Sequence, residues 1–81
     1  MSNVIVVEFF KENQIGDLVN PCGTDWTHIM SDLKTARGAR RRVTNKGYAI
    51  PKDAVLCKIF RAGDVLREDT YYLLDSFSVK H

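Results

Sequence analysis

The sequence lacks the residue groupings from which catalytic, metal and nucleotide sites are usually built. It holds 2 histidines and 2 cysteines, and they do not stand at the paired spacings that zinc ligands show. Neither Gly16 nor Gly23 has the flanking residues of a glycine-rich phosphate loop. We therefore expect no metal, no cofactor and no catalytic residue, and we interpret the chain as a protein that is not an enzyme.

Two residue pairs come closest to a catalytic site. Cys22 and His28 could be taken for a thiol–imidazole dyad, but such dyads are defined by geometry in the folded chain, and no third orienting group is indicated. The neighbouring carboxyl groups of Glu68 and Asp69 are explained by a surface turn. The other two Cys and His residues of the chain, Cys57 and His81, stand far from the first of these pairs in sequence.

Long apolar segments are absent as well, so the sequence predicts no helix that spans a membrane. The first residues, MSNVIVVEFFKEN, have neither the basic start nor the small-residue cleavage site of a secretory signal. We expect a cytoplasmic protein in which Cys22 and Cys57 are reduced thiols. If the chain is encoded by a phage, that location is the cytoplasm of the host cell.

Length and composition predict one folded domain over residues 1–81. The chain has 81 residues, which is too few for two hydrophobic cores. A hydrophobic content of 44% is typical of a globule and not of a disordered segment. A net charge of +2 permits nucleic-acid binding without demanding it.

Residues 24–47, TDWTHIMSDLKTARGARRRVTNKG, form the longest segment with a helical period. Its apolar side chains recur at helical intervals, and they are Trp26, Ile29, Met30 and Leu33. Thr24 or Asp25 suits the N-cap, and Gly47 suits a left-handed residue after the last turn. The sequence therefore predicts one main helix over this range, with Gly38 at a change of its apolar face.

Runs of β-branched and aromatic residues predict strands at residues 3–10, 54–61 and 70–77, with a shorter candidate at 15–19. Ile5, Val7 and Phe9 share one face of the first run, so we expect them in the core. The predicted fold class is α+β: a two-layer sandwich with one main helix on a three- to four-stranded, mainly antiparallel sheet, in the order β-(β)-α-β-β. The last two strands would form a hairpin.

The strongest remaining feature is a run of cations with no acidic residue among them. It comprises Arg37, Arg40, Arg41, Arg42 and Lys46. A solvated helix end explains this run, because cations stabilise the C-terminal end of a helix. A docking surface also explains it, either for nucleic-acid phosphates or for an acidic patch on a protein. Whether the helix bends at Gly38 or its second half leaves the core, we expect Arg37, Arg40 and Arg41 to be presented together.

Three tyrosines bear on the same surface. Tyr48 follows the cationic run closely, where a ring could stack on a ligand. Tyr71 and Tyr72 point to opposite faces of the last predicted strand, so one is expected in the core and the other outside it. We assign Tyr72 to the outside, as an anchor for a partner.

The segment DLKTARGARRRV, set between a leading strand and a terminal hairpin, resembles the small β-α-β-β proteins carried by phages and other mobile elements, some of which are anti-CRISPR proteins. The resemblance rests on size, element order and a helix of small and basic residues. It implies a non-enzymatic protein, monomeric or homodimeric, that inhibits a host nucleic-acid-targeting complex by occupying its surface. The alternative is a small nucleic-acid-binding module that places the same arginines on phosphates.

Overall fold

A computed structural model describes residues 3–80 of the chain. Met1, Ser2 and His81 lie outside the described residues. The fold is α+β, with one α-helix against a mainly antiparallel sheet of five strands, and this confirms the predicted class.

The strands are β1 (Val4–Glu12), β2 (Leu18–Val19), β3 (Thr27–Met30), β4 (Leu56–Ala62) and β5 (Tyr71–Ser78), and the helix is α1 (Ala36–Val43). β1 is the central strand, and it pairs with β4 along one edge. β3 and β2 pair in succession with the other edge of β1. β5 pairs with β4 as the predicted hairpin and forms the far edge of the sheet.

The helix belongs to a crossover connection. β3 and β4 are both antiparallel to β1, so they run parallel to each other with β1 between them. Two such strands cannot be joined by a tight turn, and the chain from 31 to 55 must pass over one face of the sheet. α1 lies in this segment and packs on β1 and β4.

The core forms between α1 and the sheet face beneath it. Ile5, Val7 and Phe9 on β1 are fully buried there, as predicted. Cys57 and Ile59 on β4 lie beside them, and the helix contributes Ala39 and Val43. Apolar burial of this kind stabilises the fold by about 25 cal/mol for each Å² removed from water.

The helix predicted over residues 24–47 is wrong in its first half. Residues Thr27–Met30 form strand β3, and Ile29 is 56% exposed instead of buried. Trp26 and Met30 still reach the core, because residues four positions apart share a face in a strand as well as in a helix. Gly38 consequently lies in the first turn of α1, and no bend of a long helix occurs there.

The alternation predicted for the last strand is interrupted. Tyr71 and Leu73 lie opposite Ala62 and Phe60, but a bulge follows, and Asp75 lies opposite Ile59. The extra residue in the bulge, Leu74, shifts the strand by one position. Phe77 therefore packs on the core, while Tyr71 and Leu73 face the other side of the sheet.

Candidate partner-binding groove

The cationic run predicted from the sequence lies on α1 and in the turn that follows it. Thr35 is the N-cap, with extended backbone dihedral angles, and its hydroxyl accepts a hydrogen bond of 3.1 Å from the Gly38 N–H. At the other end, the Thr44 hydroxyl donates to the Arg40 carbonyl at 2.7 Å. Gly47 then takes the left-handed conformation expected of it, with φ 96°. Three arginines occupy the last turn, where their charge suits the helix dipole.

Arg40 is held against β5. Its guanidinium donates to the Asp75 carboxylate at 3.1 Å and lies over the Phe77 ring, 4.4 Å from the ring centre. The side chain of Asp75 is 28% exposed, so this ion pair is partly shielded from water. Arg40 therefore connects the helix to the edge strand and is not a free cation.

Arg42 is held on the opposite flank of the helix. It donates two hydrogen bonds to the Asp32 carboxylate, at 3.1 and 2.7 Å, in the forked geometry that guanidinium and carboxylate groups favour. The hydrogen bond from Arg42 lowers the pKa of Asp32 below its ordinary value. This pair joins α1 to the turn that follows β3.

Arg37 and Arg41 remain on the outer side of the helix, and we call these two residues the basic ridge. They are four positions apart and therefore lie one above the other. Both residues are exposed, and within residues 3–80 neither guanidinium takes part in a hydrogen bond, an ion pair or a ring contact. The expected joint presentation of Arg37, Arg40 and Arg41 is thus found only for the two residues of the ridge.

A groove of about 590 Å³ opens where the end of α1 meets the end of β5. Apolar side chains form much of its wall, and they include Phe9, Val43, Ile50, Phe77 and Val79. Arg40, Lys46 and Lys80 also line it, and among residues 3–80 no carboxylate belongs to the lining, although Asp75 pairs with Arg40 from outside it. The groove can accept an apolar group with negative charge beside it.

Tyr48 lines this groove through its ring, but its hydroxyl has a structural role. The hydroxyl forms a short hydrogen bond with Nδ1 of His28, and Nε2 of the same histidine contacts the Asp25 carbonyl at 3.1 Å. Burial raises the pKa of Tyr48. This pair fastens the chain after α1 to strand β3.

Tyr72 lies apart from the groove. It is 64% exposed, as predicted, on the same sheet face as α1 but at the opposite end of β5. Its neighbour is Arg61, whose guanidinium lies 5.5 Å from the centre of the Tyr72 ring. Tyr72 therefore does not line the groove.

The residues considered for catalysis or metal binding do not come together. His28 uses both ring nitrogens for Tyr48 and Asp25, while Cys22 is exposed in the loop before β3, and the two have no contact with each other. Cys57 is buried, which raises the pKa of its thiol to about 12. Among the described residues, no group of three or more His, Cys, Asp or Glu side chains could hold a metal ion.

Sequence reasoning missed the groove itself. Phe77 ends the strand predicted over residues 70–77, and Val79 and Lys80 lie after it, outside the predicted elements. Their proximity to Lys46 depends on the register of β5 and on the crossover that carries α1, so no local spacing could reveal it. The one local signal is the alternation of apolar and polar residues from Phe77 to Lys80, which indicates that the strand continues past Phe77.

The fold is that of a small α+β protein, and its groove is lined by apolar side chains together with Arg40, Lys46 and Lys80. No protein family, no curated protein and no solved structure matches this chain. No helix within residues 3–80 has the length and apolar character needed to cross a membrane.

Proposed function

We propose that this protein is a non-enzymatic inhibitor that binds a protein component of a host nucleic-acid-processing complex and occupies its surface. The groove and the basic ridge together form the binding site. An apolar side chain of the partner enters the groove, and acidic groups beside it pair with Lys46, Lys80 and the ridge.

The observation that carries this proposal is the composition of the groove wall. Its charged residues are all cations, and its floor is built from buried aromatic and aliphatic residues such as Phe9 and Val43. Protein interfaces combine a desolvated apolar centre with a polar rim. A guanidinium or ammonium group on that rim selects a partner with carboxylates.

Geometry favours a protein over nucleic-acid phosphate as the partner. Arg40 and Arg42 already bind carboxylates, so only Arg37, Arg41 and the two lysines of the groove remain for phosphates. The groove also lies at the C-terminal end of α1, where carbonyl groups and not N–H groups face outward. A backbone cradle for phosphate is therefore missing from this site.

The resemblance to anti-CRISPR proteins gives this inhibitor its partner class. What supports it is the small size, the hairpin after the helix and a helix with small and basic residues, whereas three strands precede the helix in place of one. Proteins of that type block larger nucleic-acid-targeting assemblies by binding to them. A protein that acts in this way needs a docking surface and no catalytic residues.

A pull-down from a bacterial lysate, with and without nuclease treatment, tests the proposal. The wild type is compared with the ridge variant Arg37→Glu/Arg41→Glu and with the control variant Lys52→Glu. Lys52 is an exposed cation in the turn after the groove and is absent from the groove lining. Thermal unfolding of each variant confirms that the fold is intact.

We expect a protein complex to be retained after nuclease treatment by the wild type and by Lys52→Glu, and to be lost with the ridge variant. Retention of nucleic acid alone, lost on nuclease treatment and steeply weakened by salt, would instead establish the phosphate-binding module. Equal retention by wild type and ridge variant would show that the ridge is not the site.

A further inference from the structure

The helix-facing side of the sheet carries an exposed cation at one of its core-facing positions. Ile5 on β1 lies opposite Met30 on β3 and opposite Arg61 on β4, and Arg61 lies opposite Tyr72 on β5. Directly paired residues in antiparallel strands point to the same face. Ile5 and Met30 are buried in the core, and so is Ile59, two positions before Arg61 on the same face of β4. Arg61 is exposed, although it stands on this face.

A cavity of about 340 Å³ adjoins Arg61 at this end of the sheet. Its lining comprises Asn3, Val4, Ile5, Lys34 and Arg61. Lys34 directly precedes the N-cap of α1, so the cavity lies where the segment that enters the helix meets the beginning of β1 and the end of β4. Both charged residues of the lining are cations, and among residues 3–80 no carboxylate belongs to it.

The two cations of the cavity have no acidic partner. Within residues 3–80 neither Lys34 nor Arg61 forms an ion pair, whereas three other arginines do. Like charges at one cavity repel each other, and an anion between them pairs with both. A guanidinium offers two parallel N–H donors, which match the oxygens of a phosphate as well as those of a carboxylate. The cavity is therefore suited to an anionic group.

An exposed aromatic ring stands beside the cavity. Tyr72 is 64% exposed, and the Arg61 guanidinium lies 5.5 Å from the centre of its ring. The exposed surface of this ring is accessible to a second planar group. Nucleic-acid bases stack on aromatic side chains of this kind, whichever base they carry. A ring next to a cationic cavity matches the two parts of a nucleotide, and this distinguishes a nucleotide phosphate from a carboxylate as the ligand.

We propose that this end of the molecule binds a nucleotide, with its phosphate in the cavity between Lys34 and Arg61 and its base on the Tyr72 ring. One nucleotide can reach both, because the guanidinium that lines the cavity is only 5.5 Å from the centre of the ring. The side-chain amide of Asn3 supplies a further N–H donor in the lining. The nucleotide is either free or part of a single nucleic-acid strand, since both present the same phosphate and base.

The nucleotide site is separate from the groove. The two share no lining residue, and they lie at opposite ends of α1, because Lys34 precedes the helix and Lys46 follows it. The nucleotide site also contains neither residue of the basic ridge. A failure of this proposal therefore does not affect the proposed inhibitor, and a failure of the inhibitor proposal leaves the nucleotide site in place.

An NMR titration of the isotope-labelled protein tests the site. Adenosine monophosphate is added up to about 10 mM, which covers dissociation constants of about 1 mM and below. We expect saturable shifts of the backbone amides of Asn3, Lys34, Arg61 and Tyr72. Inorganic phosphate and adenosine each carry only one part of the ligand, so each should bind at least about tenfold more weakly than the nucleotide.

Substitutions test the two parts of the site separately. Lys34→Gln and Arg61→Gln should each weaken nucleotide binding at least about tenfold, because each removes a hydrogen bond to a charged group. Tyr72→Ala should weaken it about fivefold or more through the loss of stacking, whereas Tyr72→Phe should retain it. The matched control is Lys52→Gln, an exposed cation outside the cavity, which should bind as the wild type does. The melting temperature of each variant reports whether its fold is intact.

A pentanucleotide of deoxyadenylate distinguishes the two sources of the ligand. If it binds at the same amides more tightly than the mononucleotide, and this advantage falls as salt rises, the ligand is a single strand. If it binds equally or more weakly, the ligand is a free nucleotide.

The nucleotide proposal is overturned if neither compound gives saturable shifts at these amides. It is also overturned if both glutamine variants bind as tightly as the wild type, because the phosphate then lies elsewhere. Inorganic phosphate that binds as tightly as the mononucleotide would contradict it too, since the tyrosine ring then contributes nothing.

Discussion

Replacing Arg40 with alanine tests whether the contacts of Arg40 stabilise the fold, in contrast to the exposed Arg37, whose side chain makes none. The substitution removes the 3.1 Å ion pair with Asp75 and the contact with the Phe77 ring. Arg40 is half exposed, with 51% of its side chain accessible, so each contact is weak. A partly exposed ion pair contributes up to about 1 kcal/mol, and a cation over an exposed ring contributes about 0.5–1 kcal/mol.

We therefore expect Arg40→Ala to lower the free energy of unfolding by about 1–1.5 kcal/mol. For a domain of this size, each kcal/mol lowers the melting temperature by about 4–8 °C. Urea denaturation and thermal unfolding both measure the effect. The matched control is Arg37→Ala, which makes the same change of residue type on the same helix but removes no contact.

The result that would refute this reasoning is equal stability of Arg40→Ala and Arg37→Ala. A double-mutant cycle with Asp75→Asn then measures the coupling free energy between Arg40 and Asp75. We expect a coupling of about 0.5–1 kcal/mol between positions 40 and 75, and a coupling near zero between positions 37 and 75.

Three further predictions concern the core and its buried polar groups. Phe9→Ala should destabilise the protein by about 3–5 kcal/mol, because Phe9 is fully buried; chemical denaturation measures this, and Leu66→Ala at a 90% exposed position should change stability little. A thiol reagent at pH 8 should modify Cys22 quickly and Cys57 only on unfolding, because Cys22 is exposed and burial raises the pKa of the Cys57 thiol from 9.0 to about 12. Because the pKa of Cys57 is higher in the folded protein, its thiol ionises at a lower pH in the unfolded chain. The free energy of unfolding therefore keeps the full contribution of this thiol below pH 9.0 and loses it as the pH rises from 9.0 to about 12. In a Cys57→Ala variant, compared with the wild type at each pH, this loss between pH 9.0 and about 12 should be absent. Tyr48→Phe should cost about 0.5–1.5 kcal/mol through the lost hydrogen bond to His28, and a cost of zero in thermal unfolding would show that this bond does not stabilise the fold.

Local pattern was sufficient for β1, β4 and β5 and for the fold class. The apolar residues of β1 form a nearly continuous run that only Glu8 interrupts, and the turn glycine Gly63 separates β4 from β5. These are short-range signals, and the hairpin and the buried face of Ile5, Val7 and Phe9 follow from them.

The beginning of the helix could not be read in the same way. Trp26 and Met30 fit a helical stripe and a strand face equally well, because four residues complete about one helical turn and two strand repeats. The pairing of β3 with β1 decides between them, and that pairing joins residues 19 to 25 positions apart in sequence. The true N-cap, Thr35, had its own local signal in the small residue before an arginine- and alanine-rich segment.

The sequence shows which cations lie together along the chain, but it does not show which of them form ion pairs in the folded protein. All five cations of the run lie on or just after α1, yet Arg40 and Arg42 have acidic partners at Asp75 and Asp32. Asp75 comes from a strand that is 35 positions away in sequence from Arg40. Distant ion pairs of this kind depend on the packing of whole elements, so the division of the run into paired and free residues could not be read from the sequence.

The most direct test of this account is to measure partner capture for the ridge variant Arg37→Glu/Arg41→Glu beside the control Lys52→Glu, with the melting temperature of each variant recorded. The account predicts that the ridge variant keeps its melting temperature and loses the protein partner, while the control keeps both. Capture of the same partner by the ridge variant, undiminished at physiological salt, would contradict the claim that the free arginines of α1 form the binding surface.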